Sequence, residues 1–81
     1  MSSPTWEPAT VPVVPMSSGE IAEDIASRIT SGEYKPGEQL PSYREIAELY
    51  GVHFATAARA MRDLRIRGII VGSPGRGTFV V

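Results

Sequence analysis

Three segments of the chain carry apolar residues at the three- and four-residue spacing of an amphipathic helix. In the first segment these positions are Ile21, Ala22, Ile25, Ala26 and Ile29. Ser17 or Ser18 can cap the start of this segment, and Ser31-Gly32 can end it. The Pro36-Gly37 pair that follows is typical of a turn. The pattern therefore predicts one helix followed by a reversal of the chain.

A capping box predicts the start of a second helix. The hydroxyl of Ser42 can accept the amide hydrogen of Glu45, and the Glu45 carboxylate can reach back to the amide of Ser42. The apolar positions that follow are Ile46, Ala47, Leu49 and Tyr50. Gly51 suits the left-handed turn that ends a helix, and we expect Val52 to pack beneath that turn.

The third helical segment contains neither glycine nor proline from His53 to Arg67, and Gly68 ends it. Its apolar stripe consists of Ala57, Ala60, Met61 and Leu64. Two β-rich runs follow, 69–71 and 78–81, on either side of a turn-rich loop at 72–77. These runs predict an antiparallel hairpin.

The predicted fold class is mainly α with a small β-hairpin, which is a winged helix-turn-helix of three helices and an antiparallel wing over residues 17–81. Residues 1–16 are rich in Pro, Ser and Thr, and we expect them to form a flexible arm that Trp6 could anchor.

Composition excludes several classes of function. A chain of 81 residues holds one small domain. It has no cysteine, and the single His53 cannot assemble a metal cluster, so we expect no metal and no cofactor. No nucleophile–histidine–acid set or phosphate-cradling motif can be assembled, so we predict no enzyme. Prolines interrupt residues 1–16, which rules out a signal peptide. The absence of cysteine indicates the cytoplasm.

Charge is divided along the chain. Residues 1–50 carry eight acidic and three basic side chains, whereas residues 51–81 carry five arginines and one aspartate. The net charge of −1 therefore conceals a basic C-terminal half that could meet an anionic partner. Arg62, Arg65 and Arg67 can equally be an ordinary solvated helix face, and we expect only one of them to contact phosphate.

A set of segments in fixed order resembles a known family. The segments are ITSGEYKPG at 29–37, Leu40-Pro41-Ser42 with Arg44, Ile46-Ala47, Gly51-Val52, Thr56, Ala60, Leu64, Gly68 and GRGTFV at 75–80. In this order they resemble the winged helix-turn-helix domain of the GntR family of bacterial regulators, from about Ser18 to Val81. The resemblance implies a sequence-specific double-stranded DNA-binding transcriptional regulator, expected to be a repressor.

The resemblance also implies which residues touch DNA. The recognition helix at 53–67 would enter the major groove, and the wing at 72–77 would lie on the adjacent backbone or in the minor groove. The expected contact residues are Ser42, Arg44, His53, Phe54, Ala55, Thr56, Arg59, Gly75, Arg76, Gly77 and Thr78. Each has a plainer interpretation too: Arg44 as a solvated charge, His53 as a helix cap, and 75–77 as a tight turn.

The start of the recognition helix departs from the family pattern. The family usually has Ser-Arg-x-Thr-Val-Arg there, and this chain has HFATAA at 53–58, so both usual arginines are replaced. The replacements either change the operator or weaken specific binding. Arg59 could partly compensate, while Phe54 and Ala55 could contact thymine methyl groups.

Members of the family normally carry a larger C-terminal domain that binds a metabolite and dimerises, whereas this sequence stops at Val81. We therefore expect no small-molecule effector site, and a monomer or weak homodimer that could pair on DNA. The chain is either a natural minimal regulator, which Met1 and the arm favour, or an excised domain. The alternative function is a protein-interaction module, an antirepressor or accessory subunit, that uses the apolar surface of Phe54, Ala55 and Ala58.

Overall fold

The computed structural model describes residues 15–81, which form three helices followed by a hairpin. The elements are α1 (Ser18–Thr30), α2 (Tyr43–Tyr50), α3 (Phe54–Ile66), β1 (Ile70–Ser73) and β2 (Gly77–Val80). This order confirms the predicted winged helix-turn-helix. Of the predicted arm, residues 1–14 lie outside the described residues, and Met16 packs against the core. No helix in the described part is long and apolar enough to cross a membrane.

Two of the helices begin with the same capping box. The Ser17 hydroxyl accepts the amide hydrogen of Glu20 at 3.1 Å, and the Glu20 carboxylate accepts that of Ser17 at 2.8 Å. Ser42 and Glu45 repeat this geometry at the start of α2, at the same two distances. Each box supplies partners for backbone amides that a helix end leaves unpaired. Of the two serines that could cap this helix, Ser17 is therefore the N-cap residue of α1, and Ser18 is the first residue of the helix.

α3 begins without such a cap. His53 has the extended backbone of an N-cap residue, but its side chain makes no capping hydrogen bond. The interpretation of His53 as the N-cap residue of α3 is therefore confirmed in position, but without a capping hydrogen bond from the side chain. Short side chains with an oxygen near the backbone are the effective caps, and an imidazole lacks that oxygen.

The core lies where α1 and α2 pack on α3. Its buried residues are Ile21, Ala22, Ile25, Leu40, Ile46, Ala47, Ala57, Ala60, Met61, Leu64, Ile70 and Val80. The predicted stripe of α3 is entirely buried, and its alanines let the neighbouring helices approach closely. Leu49, one of the apolar positions of α2, does not join this core, since it is 61% exposed. The inner face of α2 runs through Tyr43, Ile46, Ala47 and Tyr50, and Leu49 lies outside it.

The turn between α2 and α3 is the centre of the helix-turn-helix. Gly51 adopts the left-handed conformation, with φ of 65° and ψ of 38°. This conformation directs the chain back, so that the amide of Val52 donates to the carbonyl of Ala47 at 3.0 Å. Val52 is half-buried against the core, as predicted.

The hairpin is longer than its β-rich runs suggested. Ile70 lies opposite Val80, and Ser73 lies opposite Gly77, so the turn shortens to residues 74–76. The other edge of β2 forms backbone hydrogen bonds with the α1–α2 loop. The amide of Leu40 donates to the carbonyl of Thr78 at 2.8 Å, and the amide of Val80 donates to the carbonyl of Glu38 at 3.0 Å. The wing is therefore held by a neighbouring segment as well as by its own pairing.

Candidate nucleic-acid interface

The outward face of α3 carries two arginines. Because a helix repeats every 3.6 residues, Ala55, Arg59, Arg62 and Ile66 align opposite the buried stripe. All four are exposed. A helix of this width fits the major groove of B-DNA, so the face has the shape and the charge to enter it.

The structure separates paired arginines from unpaired ones. Arg67 donates to Glu23 of α1 at 2.7 Å and to Asp63 at 2.9 Å. The hydrogen bond to Asp63 raises the pKa of Arg67 the most, and the hydrogen bond to Glu23 adds to this effect, so the guanidinium stays charged. Arg28 is likewise held by Asp24 and Glu33. Within residues 15–81, no carboxylate forms an ion pair with the expected contact residues Arg44, Arg59 and Arg76, or with Arg62.

The start of α2, α3 and the wing line one open groove. Ser42 and Tyr43 come from the start of α2, Arg65 comes from α3, and residues 72–78 come from the wing. The Arg65 guanidinium donates to the Tyr43 hydroxyl at 3.3 Å, and a side chain placed at Gly72 would touch it. The groove thus joins the expected contacts Ser42 and 75–78, which are distant in sequence.

Tyr43 connects this groove to the start of α3. Its ring lies 6.3 Å from that of Phe54, centroid to centroid, at an interplanar angle of 42°. Phe54 is 55% exposed. His53, Ala55 and Arg59 are also exposed. Thr56 is the exception among the expected contacts, because it is half-buried and lies on the flank of α3 shared with Asp63, away from the Phe54 flank.

The wing tip presents Arg76 between two glycines with positive φ, Gly75 at 75° and Gly77 at 127°. Arg76 is exposed, and its carbonyl accepts a hydrogen bond from Gln39 Nε2 at 2.9 Å. A Cβ atom at Gly77 would collide with the Gln39 side-chain amide. Gly77 therefore serves both a backbone conformation and a close approach.

Sequence reasoning missed three residues of this region: Gln39, Tyr43 and Arg65. Tyr43 could have been found, since it lies three residues before Ile46 and so falls on the inner face of α2. Gln39 gives no local signal, because its partner is 37 positions away. The sequence pattern names Arg65 only as one of three arginines that form a solvated helix face or supply a single phosphate contact, and it does not predict the contact with Tyr43.

A second polar cluster lies between α1 and α2. The Tyr50 hydroxyl donates to Asp24 at 2.5 Å, and Arg28 Nε donates to the same carboxylate oxygen at 3.0 Å. Partial burial alone would raise the pKa of Asp24, but the hydrogen bonds from Tyr50 and Arg28 outweigh it and hold that pKa below its usual value. Burial and the hydrogen bond to Asp24 raise the pKa of Tyr50. The described residues include no cluster of three or more potential metal ligands.

Comparison with known proteins shows which family the chain resembles. The sequence model described as "Bacterial regulatory proteins, gntR family" matches residues 17–80. The chain is similar to the HTH-type transcriptional repressor NagR of Bacillus subtilis (strain 168), with 39% identity over 61 residues that cover 75% of this chain and 25% of NagR. It spans about a quarter of the length of NagR and of a similar regulator from Streptomyces coelicolor.

Two solved structures share both fold and sequence with the chain. The DNA-binding domain of AraR in complex with operator ORR3 superposes with a TM-score of 0.75 at 31% identity, over 79% of this chain and 77% of that one. YtrA from Sulfolobus acidocaldarius, a GntR-family transcription factor, superposes with a TM-score of 0.72 at 40% identity, over 78% of this chain and 66% of YtrA. The family consists of DNA-binding transcription regulators and not of enzymes, which agrees with the sequence-based prediction. The chain therefore belongs to the gntR family of bacterial regulatory proteins and forms a winged helix-turn-helix DNA-binding domain of that family.

Proposed function

We propose that the chain binds double-stranded DNA sequence-specifically and acts as a transcriptional repressor. The observation that carries this proposal is the difference between arginines: within residues 15–81, Arg59 and Arg62 on the outward face of α3 have no carboxylate partner, while Arg67 is paired with Glu23 and Asp63. An unpaired arginine can bind phosphate or a base edge without first losing an intramolecular partner.

Each part of the surface has its own role in this proposal. α3 enters the major groove, where Arg59 contacts a base edge and Arg62 a phosphate. Ser42, Arg44 and His53 contact the phosphate backbone beside the groove, as does Thr56 at the edge of α3. The wing, through Gly75, Arg76, Gly77 and Thr78, lies on the adjacent backbone or in the minor groove. The AraR DNA-binding domain, which shares this fold and was solved in complex with operator ORR3, supports the proposal that the chain binds DNA.

Repression is proposed by analogy with NagR, which is a transcriptional repressor. A bound domain would act by blocking access of polymerase to a promoter in the cytoplasm. Because one small module contributes limited contact area, we propose that the chain is a monomer or a weak homodimer in solution. Two copies would then pair on the operator. No small-molecule effector enters this proposal.

Selection of a random duplex library with the purified 81-residue chain tests DNA binding directly. We expect an enriched motif whose affinity falls steeply with salt, because neutralised phosphates release counterions. Arg59→Ala should lose about 1–3 kcal/mol of discrimination at one base pair. Lys35→Ala, which removes one positive charge from the α1–α2 loop, is the matched control and should keep the motif. Repression is then tested with a reporter promoter that contains this motif.

One observation favours a second candidate, the protein-interaction module. Two large apolar side chains on α3 are open to solvent, Phe54 at 55% and Ile66 at 78% exposure. Exposed apolar groups of this kind can form a protein interface. Failure to enrich any motif at low salt would favour this candidate over DNA binding.

A further inference from the structure

Phe54 is the most exposed aromatic side chain in the described part of the chain. It is 55% exposed, whereas Tyr34, Tyr43, Tyr50 and Phe79 are half-buried. Leaving an aromatic ring in water forgoes the free energy of burying it. Phe54 also occupies the first position of α3, which is the end of a recognition helix that approaches base edges.

The exposed ring is held on one side. Tyr43 packs against it with a tilted geometry, at a centroid distance of 6.3 Å, and the Tyr43 hydroxyl accepts a hydrogen bond from Arg65. The three side chains form a continuous row across the crossing of α2 and α3. A ring fixed in this way loses little conformational entropy when it meets a ligand.

The chemistry of this end of α3 is apolar. Phe54 and Ala55 carry no side-chain hydrogen-bond donor or acceptor, so they cannot read the polar edge of a base. Among the four bases, only thymine presents an apolar group in the major groove, its 5-methyl group. An apolar ring that meets a base edge in the major groove can therefore distinguish thymine from cytosine.

We propose that Phe54 is a specificity-determining residue that reads the 5-methyl group of a pyrimidine in the major groove, and that Tyr43 positions it. This inference rests on the DNA binding proposed above. The 5-methyl group that Phe54 would contact can be removed from the DNA without changing its charge or its base pairing.

The test replaces thymine by uracil. In the duplex enriched by selection, each thymine is changed singly to deoxyuridine, and affinity is measured by fluorescence anisotropy. We expect one position at which uracil weakens binding about fourfold, the loss that corresponds to one methyl group no longer buried. With Phe54→Ala, thymine and uracil should bind equally at that position. Phe54→Leu, which keeps an apolar side chain, provides a second variant and should retain part of the preference.

Two further measurements sharpen the assignment. A 5-methylcytosine–guanine pair at the same position should bind the wild-type chain more tightly than a cytosine–guanine pair, and Phe54→Ala should abolish this difference. Tyr43→Leu should reduce the thymine-to-uracil ratio of affinities and leave the salt dependence of binding unchanged. A merely structural role of Tyr43 would lower both affinities together.

The outcomes separate the inference from the proposed function. Steep salt dependence on a selected motif, combined with equal binding of thymine and uracil at every position, would overturn the role of Phe54 and leave DNA binding intact. A thymine preference that survives in Phe54→Ala would also overturn it. Absence of any salt-dependent motif would overturn both.

Discussion

The side-chain amide of Gln39 donates to the backbone carbonyl of Arg76 across 37 positions of sequence, at 2.9 Å. Gln39 also forms an isolated antiparallel bridge with Phe79. Gln39 therefore contacts the wing at two points, one in the β2 strand and one at the tip. The position of Arg76 relative to α3 depends on this contact, because the turn at 74–76 has no packed core of its own.

Gln39→Met should weaken DNA binding through the wing. The substitution keeps the length of the side chain but removes the donor, and one hydrogen bond contributes about 0.5–1.5 kcal/mol. We expect affinity to fall about two- to tenfold by anisotropy, and no further fall when Gln39→Met is added to Arg76→Ala. Fully additive losses would show that Gln39 acts independently of the wing tip.

Gly77→Ala should destabilise the fold more than Gly72→Ala. Gly77 has a φ of 127°, and a Cβ atom there would meet the Gln39 amide. Strain of this kind costs about 1–3 kcal/mol. Gly72 lacks a positive φ, and a Cβ atom there makes only ordinary contacts with Arg65. Urea unfolding of the two variants measures the difference, and equal midpoints would contradict the prediction.

The two capping boxes offer a matched pair of substitutions. Ser17→Ala and Ser42→Ala should each lower the free energy of unfolding by about 1 kcal/mol, because each removes the same capping hydrogen bond. Only Ser42 lines the groove beside the wing, so only Ser42→Ala should also weaken DNA binding. An equal loss of affinity in both variants would indicate that the effect comes from stability alone.

Arg62 and Arg67 should respond differently to removal. Arg67→Ala breaks the ion pairs to Glu23 and Asp63, so it should lower the melting temperature and leave the salt dependence of DNA binding unchanged. Arg62→Ala should leave the melting temperature unchanged and reduce the slope of log affinity against log salt by about one. A reduced slope for Arg67→Ala would contradict this division of roles.

Stability should fall in acid through Asp24. The pKa of Asp24 is held below that of an unfolded chain, so its contribution is fully present above the unfolded value of about 3.9 and is lost as pH falls through the folded value. Asp24→Asn should be less stable than wild type at neutral pH, and the difference should shrink below about pH 4. Urea midpoints from pH 7 downward test this, and a difference that grows in acid would refute it.

Most of the fold could be predicted from sequence because its signals are local. Each capping box joins residues three positions apart, and Gly51 ends α2 through its own backbone conformation. The buried stripe of α3 follows from helical periodicity alone. An apolar side chain alone does not predict burial: Leu49 is exposed because it lies outside the face of α2 that packs against the core.

Local sequence patterns predict the three helices, the left-handed turn and the hairpin, since each depends on interactions within a few residues. The tertiary structure separates paired from unpaired arginines within residues 15–81, because Arg67 meets Glu23 from 44 positions away. It also decided that Phe54 rests on Tyr43 and that Gln39 holds the wing tip. Such contacts depend on how helices, loop and hairpin pack together, and no local spacing encodes them.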